Sequence, residues 1–172
     1  MKIVCDGDTV SLYMNKIYIK NLDFSDKIFL ESYLKNTLKI LDNKYNLKFD
    51  GYYDVNLYID QNYGVIIDVI KERLEYFDYF SNQIQLNINV IEDCFLYELL
   101  DIPFHFMDNL KFYKFFDKIY VKIKGQIDNF LVGNLFELSK VIYGEEKNKI
   151  LNFLKKVGWF YEDACRCFGW KT

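Results

Sequence analysis

From Tyr53 to Ile59 apolar side chains fall on every second position: Tyr53, Val55, Leu57 and Ile59 are separated by Asp54, Asn56 and Tyr58. Period two marks a strand with one buried face, because successive side chains leave opposite faces. Asp60 to Gly64 supplies turn residues, and Val65 to Ile70 returns as a nearly continuous apolar run. That predicts a hairpin whose second strand is central in its sheet. The alternation recurs where Ile84, Leu86, Ile88 and Val90 are interleaved with Gln85, Asn87 and Asn89, and Phe95 to Leu100 is expected to return beside that strand. Lys2 to Cys5, Val10 to Met14 and Ile17 to Lys20 read as further strands, with Asp6-Gly7-Asp8 as a turn. Phe112 to Phe116 and Ile119 to Ile123 read as another hairpin.

Helical spacing replaces this pattern in three places. Phe29, Leu30, Tyr33, Leu34, Leu38, Ile40 and Leu41 recur with a period near 3.6, behind Asp23 or Ser25 as the cap. Phe130, Leu131, Leu135, Phe136 and Val141 form a second stripe after Gly125 and Asp128, and Gly144 is expected to stop that helix. A third helix starts at Glu145-Glu146, where acids suit the positive end of the helix dipole, and carries Ile150, Leu151, Phe153, Leu154 and Val157 up to Gly158. Glu72 to Phe80 reads as irregular or short helical structure, and Asp101 to Asp108 as a loop.

Strands arriving in hairpins, not in alternating β-α units, predict an α+β fold. The expected architecture is a largely antiparallel sheet packed by about three helices. The length of 172 residues suits one domain, expected over residues 1–158, with an aromatic tail over 159–172 docked on it. No Pro/Gly-rich linker interrupts the chain. Residues 6–20 align without gaps with residues 108–122, matching Asp6, Lys16, Ile17, Tyr18 and Lys20 to Asp108, Lys118, Ile119, Tyr120 and Lys122. The alignment admits a duplicated strand–strand–helix unit, or two ordinary hairpins in a biased composition.

That bias is strong. There are 15 Tyr and 16 Phe against one alanine, Ala164, and Pro103 is the single proline. The basic residues are Lys except for Arg73 and Arg166. Lys, Asn, Ile, Tyr and Phe are the codon choices of an AT-rich genome, such as that of a low-GC bacterium or its phage. The net charge of −3 comes from acids and lysines mixed along the chain, which argues against a nucleic-acid partner. Asp6 and Asp8 interrupt any apolar leader, and no apolar run approaches the roughly 18 residues of a membrane span. A cytoplasmic location is expected, with reduced thiols at Cys5, Cys94, Cys165 and Cys167.

No motif names a reaction. Cys165-Arg166-Cys167 is spaced more tightly than the cysteine pairs of structural zinc sites, so no metal or cofactor is expected. His105, the only imidazole, lies between Phe104 and Phe106, where packing is the plainer reading. Phosphate-binding glycine motifs are absent from the sequence. Asp6, Asp8, Asp54, Asp60 and Asp68 lie near turns, but sequence spacing cannot establish a catalytic carboxylate pair.

Aromatics remain. Trp159, Phe160, Tyr161, Phe168 and Trp170 crowd the tail, and Tyr52, Tyr53, Tyr58 and Tyr63 surround the first hairpin. Tyr76, Phe77, Tyr79 and Phe80 form another group. Large aromatic side chains dominate binding hot spots. The sequence therefore points to a regulatory protein-binding module, an adaptor or inhibitor, with Tyr58, Tyr63, Trp159, Tyr161, Phe168 and Trp170 as contact residues. A small carboxylate- or His-dependent enzyme is the alternative. The partner is expected to be another protein, and self-association stays open.

Overall fold

The computed structural model describes residues 2–19, 22–72, 84–100 and 110–157, and the backbone of 159–161. The chain divides into two compact units: residues 1–59 with 64–91, and residues 60–63 with 92–172. The fold is α+β, with two mostly antiparallel sheets and four helices among the described residues.

The first unit holds β1 (Lys2–Asp6), β2 (Thr9–Asn15), α1 (Lys16–Ile19), α2 (Lys27–Tyr45), β3 (Tyr52–Asp60), β4 (Gly64–Lys71) and β5 (Gln85–Glu92). Its sheet has the order β1-β2-β4-β3-β5. The near-continuous burial of β4 follows from that central place. Asn87 and Asn89 of β5 donate to Asp54 and Asn56 of β3, a constant offset along both strands, so β5 runs parallel to β3. α2 starts at Asp26, whose carboxylate accepts from the Ile28 and Phe29 amides. It ends at Asn46, in the left-handed region with φ 54°. Leu30, Leu34, Leu38 and Leu41 form its buried stripe and pack with Leu12, Met14, Val55, Leu57, Val65, Ile67 and Val69. Burying each leucine contributes roughly 1.5–3 kcal/mol.

Gly64 shows why one glycine cannot be replaced here. Its φ is 131°, and a Cβ would stand 2.2 Å from the Met14 carbonyl oxygen. It faces Asn15 in the β2–β4 ladder, so the missing side chain lets two backbones close.

The second unit holds β6 (Leu96–Leu99), β7 (Leu110–Phe115), β8 (Lys118–Ile123), α3 (Asn129–Leu138), β9 (Ser139–Ile142), α4 (Gly144–Val157) and β10 (Trp159–Tyr161), with the sheet order β10-β7-β8-β6-β9. Leu151 and Leu154 of α4 pack on Leu96, Tyr113, Tyr120 and Ile142. Phe112, Val121 and Tyr97 lie side by side on β7, β8 and β6 and are buried. Asp128 caps α3 by accepting from the Leu131 amide.

Residues 60–63, the turn between β3 and β4, belong to this unit. Asp60 is 5% exposed and accepts three backbone hydrogen bonds, from Asn62 (2.8 Å), Tyr63 (2.9 Å) and Phe95 (2.9 Å). Asp93 accepts from the Gly144 amide at the start of α4 and pairs with the largely buried Lys147 ammonium. The two carboxylates pin the chain before β6 to both the turn and α4.

Four expectations change. Ile17 to Ile19, the described part of the expected strand, is helical: residues 16–19 form α1, because the Asn15 side chain accepts from the Ile17 amide and turns the chain as β2 ends. Phe95 to Leu100 does not return beside Ile84 to Val90, since β6 pairs with β8 and β9 in the other sheet. Gly144 does not stop a helix. α3 ends at Leu138, the β-branched pair Val141-Ile142 lies in β9, and Gly144 opens α4. The cap of α2 is Asp26, while Asp23 accepts from Ser25 and lies below the ordinary carboxylate range through those bonds. A hairpin followed by a helix does occur once in each unit. The aligned segments do not correspond, however, since Lys16 to Ile19 is helical and Lys118 to Val121 is strand.

Candidate functional site

The β7–β8 hairpin closes on two residues. Phe115 faces Lys118 in the ladder, and Phe116 and Asp117 form the loop. Phe116 has φ 53°, and Asp117 does not share the positive value. A positive φ at the first loop residue alone is the pattern of a type II′ turn, which favours glycine there. The β1–β2 hairpin has the same plan: Asp6 faces Thr9, Gly7 has φ 57°, and Asp8 follows. The first unit thus uses Gly-Asp where the second uses Phe-Asp. A bulky residue in the left-handed region costs roughly 1–2 kcal/mol.

Little of the side chain is buried in return for this backbone strain. Phe116 is 81% exposed. It makes an edge contact with Phe115 at 4.5 Å between centroids, and Phe115 makes another with Phe153 of α4 at 4.9 Å. Phe115 is half-buried, whereas Phe153 is 47% exposed and Val157, one helical turn on, is 49% exposed. Three phenylalanine rings and a valine thereby form one apolar ridge on the second unit.

Charges frame it. Lys118, opposite Phe115, bridges Glu98 at 2.7 Å, and its hydrogen bond to that carboxylate raises the ammonium pKa. Burial raises the neighbouring Tyr120 hydroxyl, and the Glu98 charge adds to the effect. Lys149 and Lys156 lie four and three residues from Phe153 and are exposed, so they share its helix face. Lys149 lies 3.4 Å from Glu145, and the exposed Asp117 follows Phe116, so acids and lysines are mixed along the rim.

The residues expected from the sequence fall elsewhere. Tyr63 is 1% exposed, with Phe95 5.3 Å and Tyr97 6.4 Å from its ring, so it is not a surface contact residue. The hydrogen bonds to Asp60 fold that turn inward and carry the ring with it. Tyr53 is likewise buried, and burial raises its hydroxyl pKa. Tyr58 is half-buried on β3. Trp159 and Tyr161 belong to β10, which pairs with β7, but their side chains lie outside the described residues. Phe168, Trp170, His105, Cys165, Cys167 and the Tyr76–Phe80 group lie outside them entirely. Cys5 and Cys94 are exposed free thiols. Among the described residues no group of His, Cys, Asp or Glu is placed to hold a metal ion.

Sequence reasoning put Phe116 at the end of a strand and missed it as a site. The available signal was its place beside Asp117-Lys118 in the short gap between two strand patterns. No helix among the described residues is long and apolar enough to cross a membrane. No family model matches the chain, and no curated protein or solved structure shows significant similarity to it.

Proposed function

We propose that this is a regulatory protein-binding module, an adaptor or inhibitor, which engages its partner through the Phe115–Phe116–Phe153 ridge. One observation carries the reading: a phenylalanine occupies a turn position suited to glycine and exposes 81% of its surface there. Unrelieved backbone strain clusters at functional sites. An exposed aromatic in a rigid turn inserts into a pocket at low entropic cost, which is how hot-spot residues act. The fitting partner offers an apolar pocket for Phe116 and a polar rim of mixed charge to meet Asp117, Lys118, Lys149 and Lys156.

The test compares capture from a lysate by the wild-type chain, by F116G, by F153S and by Y45S. Tyr45 is an exposed aromatic in the first unit and serves as the control. The expected result is a species retained by wild type and Y45S and lost from both ridge variants. A species retained equally by all four would refute the assignment.

A further inference from the structure

β5 is an edge strand, and among the described residues nothing pairs with its outer side. The Gln85 amide donates to the Gly51 carbonyl. In a parallel pair alternate residues address the neighbouring strand, so Gln85, Asn87, Asn89 and Ile91 bond toward β3. Leu86, Ile88 and Val90 then turn their N–H and C=O groups outward. Exposed edges are commonly guarded by Lys, Pro or an inward-pointing charge. From Gln85 to Ile91 there is no charge and no proline. Val90 is 41% and Ile91 37% exposed.

The strand is also symmetric in its chemistry. Around Ile88 the sequence reads Leu86-Asn87-Ile88-Asn89-Val90, an apolar–Asn–Ile–Asn–apolar series. We propose that β5 pairs antiparallel with β5 of a second copy of this chain, centred on Ile88. In that register Ile88 meets the partner's Ile88, and Leu86 meets the partner's Val90. The outward groups of those residues form about six backbone hydrogen bonds. Asn87 lies opposite the partner's Asn89, which lengthens the rows of polar side chains that already link Asn87 to Asp54 and Asn89 to Asn56. Glu92 meets the partner's Ile84, so no like charges oppose each other.

The two-fold axis stands perpendicular to the sheet. It therefore joins the helix-covered faces of both copies. There a groove of about 670 Å³, lined by Phe24, Leu30, Ile88, Val90 and Ile91 among others, flanks the end of β5. The partner's Leu86 reaches that end of the strand. Ile28, beside the groove on α2, is 81% exposed. A closed two-fold dimer is the commonest soluble assembly, and it removes the edge that this strand otherwise leaves open.

The experiment is light-scattering mass across a concentration series for wild type, Val90→Pro and Val90→Lys, with circular dichroism as the folding control. Val90→Pro deletes an outward N–H and leaves the bonds to β3 intact; Val90→Lys places a charge against the partner's Leu86. Wild type is expected at twice the chain mass, and both variants at the chain mass with unchanged spectra. Register is read by oxidising a mixture of N87C and N89C chains in a background without the four native cysteines. Mixed chains are expected to cross-link, and each alone is not. A wild type that stays monomeric at every concentration overturns the proposal, as does a dimer indifferent to both Val90 variants. Cross-linking of N87C with itself in preference to the mixture refutes the register. Loss of the partner species in F116G leaves this dimer unchanged, so the two readings fail separately.

Discussion

Phe116→Gly separates the cost of a residue from its use. The substitution recreates in the second unit the Gly-Asp loop that Gly7-Asp8 forms in the first. Relief of the left-handed strain contributes about 1–2 kcal/mol. Against it stand three losses. About a fifth of a ring of roughly 200 Å² is covered, worth about 1 kcal/mol at 25 cal/mol/Å². The edge contact with Phe115 adds roughly 0.5 kcal/mol, and the freedom of glycine in the unfolded chain about 0.5–1 kcal/mol. The terms nearly cancel and leave a change within about 1 kcal/mol, or a melting shift under about 4 °C. A central hot-spot aromatic is worth at least about 2 kcal/mol of binding, roughly a 30-fold loss of affinity. Thermal melting followed by circular dichroism and titration against the captured partner measure the two quantities. A loss of more than about 3 kcal/mol in stability would refute the reasoning, since it would make the ring part of the core. Unchanged affinity would refute it from the other side.

Three stability predictions concern other parts of the chain. Asp60→Asn presents an NH₂ to one of the three amides that the carboxylate accepts from, and urea denaturation should show a loss of about 2–4 kcal/mol. Gly64→Ala forces a Cβ into the Met14 carbonyl and should cost about 2 kcal/mol or more in the same assay, whereas a neutral result would show that β2 and β4 can part there. Glu72 should titrate above its ordinary 4.5 in an NMR pH series, because the Asp54 carboxyl shares a hydrogen bond with it and repels its charge. A raised carboxyl pKa means that this pair's favourable contribution is complete below pH 4.5 and is lost as pH rises through the raised value. In Asp54→Asn the Glu72 titration should fall back toward 4.5, and no movement would assign the shift to another cause.

The elements legible in the sequence were those whose pattern is local. β3 and β5 alternate cleanly because each buries one face, and α2 shows its leucine stripe because one helix face meets one sheet. β4 announced its central place by losing its polar positions. Pairing between distant strands was not legible. Phe95 to Leu99 has the composition of a neighbour for β5, but Asp60 and Asp93 tether the chain to the turn and to α4, and β6 joins the other sheet. α1 was missed because a single side-chain acceptor, Asn15, outweighed four residues of strand propensity. The α2 cap was misplaced for a related reason. Asp23, Ser25 and Asp26 can all cap, and the choice depends on where the backbone leaves the helical region.

The site was legible only as a surplus. Fifteen tyrosines and sixteen phenylalanines predicted that some aromatics would face solvent, without saying which. Tyr63 sits in a polar loop and yet is buried; Phe116 ends an apolar strand and yet is exposed. The difference lies in what each turn does with its backbone. Asp60 gathers three amides and draws its turn inward, whereas Phe116-Asp117 closes a two-residue loop at the end of its hairpin.

Compositional bias alone does not account for Phe116. An AT-rich composition favours phenylalanine over glycine, and codon supply alone would fill turns without regard to their geometry. The rest of the chain speaks against that. Gly7 stands at the same turn position in the first hairpin, and Gly64 stands where no Cβ fits. Asn46 takes the left-handed cap of α2, and Asp26 and Asp128 hold the helix starts. Glycine, asparagine and aspartate are thus placed where backbone geometry requires them, and the glycines stand there against the compositional bias. β5 departs from the pattern in a parallel way, since a chain with 22 lysines and arginines puts none of them on that edge. A strained exposed ring and an unguarded edge add little to the stability of the isolated chain. Each contributes substantially only when something covers it, which is the physical ground for assigning a partner to one and a second copy to the other.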